Sequence, residues 1–221
     1  MQICRQGNGH YLDGLNNQDF FFEEGNLKMI MDGCSEGKFS EVGTRLFAQA
    51  FSQLETRLDL SHFEQNVEDA FMKTCSIAGS KSGNEFEAFV INNMLFTIIA
   101  CFELEDKFIV KFIGDGYIIT VNKYNSLSYI RLFYGKSPPY YSYNKLETDD
   151  YPTPLTFKTF EFSKQEFKKV GIASDGLSPI VDKLTNQPFE YFFLGKETIY
   201  KPEGVINSNR TAFYDDVTIL F

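Results

Sequence analysis

The feature that most constrains the fold is a change in apolar spacing, from a strand pattern to a helical pattern and back. Residues 19–24 and 27–32 form short apolar runs typical of strands. Between residues 38 and 58, apolar residues recur every third or fourth position, which predicts an amphipathic helix. A second helical stripe follows Ser61, where Glu64 three positions later completes a capping-box pattern. A shorter helix is indicated at residues 84–92.

After this helical region, the strand pattern returns. Short linkers join three strands predicted at residues 95–104, 108–113 and 117–122, which favours an antiparallel meander. Further strands are predicted at the following places: 127–133, 156–162, 169–174 and the final segment 215–221. Helices placed between groups of antiparallel strands predict an α+β fold of packed layers, and the alternation of a doubly wound parallel sheet is missing.

One segment of the second half is predicted to be irregular. Residues 134–154 contain four prolines and five tyrosines and read as a long loop. Long loops inside compact domains are often functional, so we expect this one to contribute to the choice of substrate.

Length and charge limit the partners of the chain. The 221 residues, 43% of them hydrophobic, suit one domain spanning residues 1–221. A formal charge of −9 argues against binding to nucleic acid or to an anionic membrane surface. The start lacks the pattern of a signal peptide, and the longest apolar run, residues 94–102, is too short to cross a bilayer. We therefore expect a monomeric, cytoplasmic protein with reduced cysteines.

Aspartates stand at the ends of several predicted apolar strands, and a sheet can bring such ends together. They are Asp19, Asp32, Asp115, Asp175 and the pair Asp215 and Asp216. Crowded carboxylates repel each other, and divalent cations such as Mg²⁺ and Mn²⁺ remove that conflict because they prefer oxygen ligands. The chain has only two histidines and scattered cysteines, which disfavours zinc. The pattern thus indicates an oxygen-rich metal site.

A simpler interpretation of these Asp-Gly pairs is a hairpin turn, for which Asp-Gly is a common sequence. Predicted strands flank Gly114-Asp115-Gly116 on both sides, so the turn stays an equal alternative there. No strand directly follows Asp32-Gly33 or Asp175-Gly176, and a hairpin turn does not explain either pair.

The residues after Asp32 also match a third pattern. Gly33-Cys34-Ser35-Glu36-Gly37 is a literal G-x-S-x-G between a predicted strand and a predicted helix, as in the nucleophile elbow of α/β-hydrolases. That arrangement requires a histidine later in the chain, and the one that follows is His62, in a predicted surface helix. A serine nucleophile without a base is not activated, which makes the match a coincidence by this reasoning.

Five short motifs carry a resemblance to a known family. They are NNQD (16–19), MDGCSEGKFSEVGTRLFAQAF (31–51), FIGDG (112–116), ASDGL (173–177) and DDVT (215–218). Together, in this order and at this spacing, they resemble the metal-dependent protein phosphatases of the 2C type. The segment GHYLDGLNNQD (9–19) is most similar to a bacterial branch of that family.

The resemblance implies a four-layer α-β-β-α sandwich of two antiparallel sheets flanked by helices. It also implies a site for two Mn²⁺ or Mg²⁺ ions, in which Asp32 bridges both and the Gly33 carbonyl binds one. The roles implied for the other residues are ligation by Asp175 and Asp215, water binding by Asp19, and a weaker third metal at Asp115. A bridging hydroxide would then attack the phosphorus of a phosphoserine or phosphothreonine in a protein substrate.

Three departures from the family pattern leave questions open. Gly14 stands where the family usually has a phosphate-binding arginine, for which Arg5 or Lys38 are possible substitutes. Cys34 stands where many members have a histidine, a candidate proton donor. His10 is a candidate to compensate, with a purely structural hydrogen bond as the alternative.

The third departure is the segment between Asp115 and Asp175, which is shorter than the substrate-contacting flap of many members. The choice between Asp215 and Asp216 as ligand also stays open. The missing arginine motivates a second hypothesis, a pseudophosphatase that binds phosphoproteins without hydrolysing them.

Overall fold

The computed structural model describes residues 1–77, 83–135, 137–146, 154–182, 187–196 and 201–221. Its strands are, in chain order, β1 (Gln2–Arg5), β2 (Phe20–Glu24), β3 (Leu27–Gly33), β4 (Phe96–Glu103), β5 (Lys107–Ile113), β6 (Tyr117–Asn122), β7 (Leu127–Arg131), β8 (Lys158–Ser163), β9 (Phe167–Ala173) and β10 (Val217–Leu220). They form two five-stranded antiparallel sheets, with the orders β1-β10-β9-β6-β7 and β2-β3-β4-β5-β8. We call these the first and the second sheet.

Helices cover the outer faces of both sheets. The helices are α1 (Asn8–Leu12), α2 (Ser40–Ser52), α3 (Phe63–Ile77), α4 (Gly83–Asn93), α5 (Ser178–Asp182), α6 (Gln187–Phe193) and α7 (Pro202–Ser208). Buried side chains of α2 and α3, such as Phe47 and Phe71, pack on the second sheet. Phe189 and Ile206, from α6 and α7, pack on the first sheet. The predicted α+β class and the four-layer sandwich are confirmed.

Alternation along β3 explains why residues 29–31 are all apolar. Met29 and Met31 belong to the cluster under α2 and α3, whereas Ile30 belongs to the cluster between the two sheets. All three side chains are fully buried. A strand segment covered on both faces takes apolar residues at consecutive positions, and the polar residues of β3 lie near its two ends, at Lys28 and Asp32.

The predicted meander is wrong, because the chain changes sheets after β5. β5 pairs with β4 and β8, whereas β6 pairs with β9 and β7. Gly116, with φ of 120°, adopts a backbone conformation that favours glycine, and a Cβ there would lie 2.6 Å from the Ala173 carbonyl oxygen. The hairpin-turn alternative for Gly114-Asp115-Gly116 is therefore wrong as well. Asp115 lies at a crossing between the two sheets.

Other boundaries differ from the prediction by a few residues or more. The helix predicted over 38–58 covers Ser40–Ser52. Asp59, not Ser61, caps the following turn, since its side chain accepts a hydrogen bond from the Ser61 amide at 2.9 Å. Within 134–154, residues 141–145 form a 3-10 turn, while residues 136 and 147–153 lie outside the described residues.

Several elements were missed by the prediction. They are β1, α1, α5, α6 and α7, each of them short. β1 pairs with β10 and so joins the start of the chain to its last strand. Among the helices in the described part of the chain, none has the length and apolar character required to cross a membrane.

Candidate metal centre

Four of the predicted aspartates face one cavity of about 250 Å³ at the end of the sandwich. Its lining includes Asp32, Gly33, Asp115, Asp175 and Asp215, together with Cys34, Ser35, Thr97, Ser137, Tyr140 and Tyr143. The sequence therefore identified residues that the fold places together, although they come from distant parts of the chain.

Each aspartate reaches the cavity from the end of a strand. Asp32 and Gly33 end β3 in the second sheet, and Asp175 follows β9 in the first sheet. Asp215 lies two residues before β10, and Asp115 lies at the crossing from β5 to β6. Gly33 permits a close approach, since a Cβ there would lie 2.8 Å from the Gln18 carbonyl oxygen.

Asp19 is buried, whereas the four aspartates that line the cavity are only partly buried. The side chain of Asp19 is 1% exposed, and the residue lies just before β2. Neither carboxylate oxygen accepts a hydrogen bond of standard geometry within the described residues, although the hydroxyl groups of Thr218 and Ser174 lie close enough to lower the pKa of Asp19. Buried polar groups are almost always satisfied, and an isolated buried carboxylate is costly. A nearby cation or its bound water fits this carboxylate, and the cavity is rich in oxygen donors that suit Mn²⁺ or Mg²⁺.

Burial and mutual repulsion raise the pKa of these carboxylic acids. Burial, followed by the charge of Asp216, raises the pKa of Asp19 to about 7. Burial raises the pKa of Asp115 to about 6 and that of Asp175 to about 8. The pKa of Asp32 lies well above its usual range, from burial first and then from the charges of its neighbours. Divalent cations would stabilise the ionised forms and relieve this repulsion.

The structure separates the roles of the adjacent Asp215 and Asp216. Asp216 is 2% exposed and accepts hydrogen bonds from the amides of Gly7 at 2.7 Å and Gln18 at 2.6 Å. It also contacts His10 Nδ1 at 2.8 Å. Asp215 lines the cavity instead. Possible metal-ligand atoms of three residues, His10, Asp215 and Asp216, lie within 4.8 Å of one another. However, Asp216 and His10 Nδ1 already form hydrogen bonds within the protein.

His10 is not among the residues that line the cavity, but it contacts Ser35, which is. Its side chain is buried, and its Nε2 lies 3.3 Å from Ser35 Oγ. The hydrogen bond to Asp216 raises the pKa of His10. Sequence reasoning required a histidine downstream of Ser35 and so missed this upstream partner. The G-x-S-x-G pattern was the signal that pointed to Ser35.

The two proposed substitutes for the missing arginine lie elsewhere. Arg5 pairs with Glu203 at 3.2 Å, and neither Arg5 nor Lys38 lines the cavity. Within the described ranges, no lysine or arginine lines it at all. Gly14 lies in open space, with no atom within 4 Å of a Cβ built there. Besides the acidic residues, the lining includes the hydroxyl-bearing residues Ser35, Ser137, Tyr140 and Tyr143.

Comparisons with known proteins identify relatives of this fold. A sequence model of the family described as protein phosphatase 2C matches residues 6–204, a range that ends before Asp215. No curated protein sequence matches the chain.

Solved structures match at low sequence identity. The serine/threonine phosphatase Stp1 from Staphylococcus aureus is 14% identical with a TM-score of 0.63, covering 99% of this chain and 92% of its own. The catalytic domain of the serine/threonine phosphatase PstP, in complex with two manganese ions, is 14% identical with a TM-score of 0.62, covering 99% and 94%. PppA of Pseudomonas aeruginosa is 12% identical with a TM-score of 0.59, covering 99% and 94%. These similarities show the fold.

Proposed function

We propose that this chain, which belongs to the protein phosphatase 2C family, hydrolyses phosphoserine and phosphothreonine in proteins with Mn²⁺ or Mg²⁺ as cofactor. The observation that carries the proposal is the arrangement of acidic groups. Four aspartates line one cavity, and Asp19 is buried close to Asp32 with no hydrogen bond of standard geometry to its carboxylate oxygens in the described part of the chain. Such an arrangement is costly in the absence of cations.

The proposed ligands are the side chains of Asp32, Asp175 and Asp215 and the carbonyl oxygen of Gly33. In this scheme Asp32 would hold both cations, Asp19 would hold their bound water, and Asp115 would help to hold a weaker third ion. When bound, the cations supply an activated water nucleophile and neutralise charge on the phosphate. Asp32 and Asp19 are the residues of the chain that we expect to be essential for catalysis.

The protein itself supplies position and shape. Asp216 connects the chain before Asp19 to the segment before β10, because it accepts hydrogen bonds from Gly7 and Gln18. This keeps Asp19 and Asp215, which come from opposite ends of the sequence, at one place. The lining also includes the uncharged hydroxyl-bearing residues Ser35, Ser137 and Tyr143, which suit a phosphate group entering an otherwise acidic site.

Hydrolysis of p-nitrophenyl phosphate and of a phosphothreonine peptide tests the proposal. We expect turnover with Mn²⁺ that a chelator abolishes. Asp32→Asn should lower the rate by on the order of 100-fold or more, since removing electrostatic stabilisation of the transition state has effects of that size. Asp69→Asn, an exposed aspartate on α3, is the matched control and should leave the rate unchanged.

The alternative hypothesis, a pseudophosphatase, gives a different result in the same experiment. A Mn²⁺-loaded protein that binds the phosphopeptide but releases no phosphate would favour that function. Turnover that is insensitive to both the chelator and Asp32→Asn would contradict the metal-dependent reaction.

A further inference from the structure

The turn from Gly33 to Gly37 carries a contact that the proposed metal centre does not use. Ser35 is exposed and lines the cavity, and its Oγ lies 3.3 Å from Nε2 of the buried His10. The other ring nitrogen, Nδ1, lies 2.8 Å from Asp216 Oδ2. A hydrogen-bonded chain therefore runs from the interior of the protein to the surface of the cavity.

The direction of the hydrogen bonds in this chain follows from the partners of Asp216. Asp216 accepts from two backbone amides, which is the behaviour of an ionised carboxylate, so His10 Nδ1 donates to it. In the protonated imidazole, Nε2 also donates, and its acceptor is Ser35 Oγ. The hydroxyl hydrogen of Ser35 then points away from His10, and the cavity is the space that Ser35 faces.

Backbone contacts fix the position of Ser35. The Cys34 carbonyl accepts hydrogen bonds from Ser40 Oγ at 2.6 Å and from the Gly37 amide at 3.0 Å. The Cys34 amide donates to the Leu95 carbonyl at 2.8 Å. The residue before Ser35 is thus held at both its amide and its carbonyl, which favours a hydroxyl group pre-positioned for a ligand.

We propose that Ser35 is a substrate-binding residue that donates a hydrogen bond to a phosphate oxygen, with His10 and Asp216 as its positioning residues. This inference rests on the proposed function, because it concerns the phosphate of the same substrate. Ser35 would then supply a phosphate-binding group where Gly14 replaces the usual arginine, since no lysine or arginine lines the cavity among the described residues. A hydroxyl group polarised by an imidazolium ion provides part of the positive potential that an arginine would supply.

A nucleophilic Ser35 is the competing interpretation of the same contacts. It requires a neutral His10 that accepts the Ser35 proton at Nε2, and it predicts a covalent adduct. A bound phosphate supplies an acceptor for the Ser35 hydroxyl group, which favours the donor arrangement, and the raised pKa of His10, caused first by its hydrogen bond to Asp216, acts in the same direction. Labelling of Ser35 by a fluorophosphonate would distinguish the two, because a hydrogen-bond donor does not form that adduct.

The test measures inorganic phosphate bound by the Mn²⁺-loaded protein, both by calorimetry and as a competitive inhibitor of p-nitrophenyl phosphate hydrolysis. Ser35→Ala should weaken phosphate binding and raise KM by roughly tenfold or more, the size expected for one hydrogen bond to a charged group. Ser35→Thr keeps the hydroxyl group and should restore most of the affinity. Manganese binding should stay the same in all these variants.

Two controls accompany these variants. Ser61→Ala removes another serine that contacts a histidine and an aspartate, His62 and Asp59, but on the surface, and it should change nothing. As a single substitution, His10→Asn should weaken phosphate binding. In the double variant with Ser35→Ala it should add little further loss, because both substitutions break the same chain of contacts.

Three results would overturn the inference. They are unchanged phosphate affinity in Ser35→Ala, no phosphate binding by the Mn²⁺-loaded wild-type protein, and covalent labelling of Ser35. Failure of the proposed function looks different, since phosphate would bind in a Ser35-dependent way while no substrate is hydrolysed.

Discussion

Asp216 Oδ2 and His10 Nδ1 lie 2.8 Å apart although the two residues are separated by 206 positions in the sequence. The same carboxylate accepts hydrogen bonds from Gly7 and Gln18, so it binds three points of the N-terminal segment. Its neighbour Asp215 faces the cavity instead. Two adjacent aspartates thus have different environments, one inside the protein and one at the candidate metal centre.

This difference predicts opposite effects of the same substitution at the two positions. Asp216→Asn should lower the free energy of unfolding by roughly 2–3 kcal/mol, because hydrogen bonds to a buried charge are lost. In the presence of a chelator, Asp215→Asn should leave the free energy of unfolding unchanged or raise it. The reason is that the substitution removes a carboxylate whose pKa is raised by burial. Urea denaturation of both variants, followed by manganese titration, measures the effects. Equal stability losses would contradict the assignment.

The metal-free protein should become less stable as the pH rises. Asp19, Asp115 and Asp175 have folded-state pKa values of about 7, 6 and 8, raised from 3.8. Between about pH 4 and pH 8 the folded state therefore binds more protons than the unfolded state, and stability falls with rising pH. The raised pKa of His10 acts in the same direction, because its bound proton is lost as the pH rises.

Thermal unfolding in a chelator at pH 5 and pH 8 measures this dependence. Asp175→Asn is the matched variant and should flatten the slope. Saturating Mn²⁺ should reverse the trend, because metal ions and protons compete for the same carboxylates. Stability of the metal-free protein that increases steadily from pH 5 to pH 8 would show that these groups are not protonated in the folded state.

The crossing between the sheets predicts a strict requirement for glycine at position 116. Gly116→Ala places a Cβ 2.6 Å from the Ala173 carbonyl oxygen at φ of 120°, and we expect a loss of about 2–4 kcal/mol in stability. Gly204→Ala is the control, because its Cβ has no atom within 4 Å and the residue lies within α7. That control should be neutral or slightly stabilising. Similar melting temperatures for both variants would contradict the requirement.

Cys34 is predicted to be the cysteine whose modification stops the reaction. Its thiol lines the cavity, whereas burial raises the pKa of Cys75 to about 11 and that of Cys101 to about 12. Burial also raises the pKa of Cys4. Iodoacetamide should label Cys34 first, as measured by mass spectrometry, and abolish phosphatase activity by filling the cavity. Cys34→Ser should resist inactivation; equal sensitivity of this variant would mean that another cysteine is responsible.

Sequence patterns predicted the fold class and the layers because buried strands and amphipathic helices leave direct periodic signals. β3 and α2 are examples, since nearly every apolar residue in each faces a covered surface. The prediction of a meander was wrong because short linkers show that strands follow each other along the chain but not which sheet each strand joins. That choice depends on pairing with β8 and β9, which come more than 30 residues later.

For the candidate site, the sequence indicated which acids could meet but not how each is oriented. Nothing in the order Asp215-Asp216 shows which carboxylate points inward, because that depends on contacts with Gly7 and Gln18. The partnership of His10 and Ser35 was missed for a similar reason. It was sought downstream of Ser35, whereas α1 brings His10 back from the start of the chain.

Anomalous diffraction from crystals grown with Mn²⁺ tests the central claim most directly, because it locates the ions without relying on activity. We expect two manganese peaks in the cavity, bound by Asp32, Asp175 and Asp215, with Asp32 between them. Asp32→Asn crystals grown in the same way should lose at least one peak. An empty cavity in the wild-type crystals at saturating Mn²⁺, or a peak found only at His10 and Asp216, would contradict the metal centre.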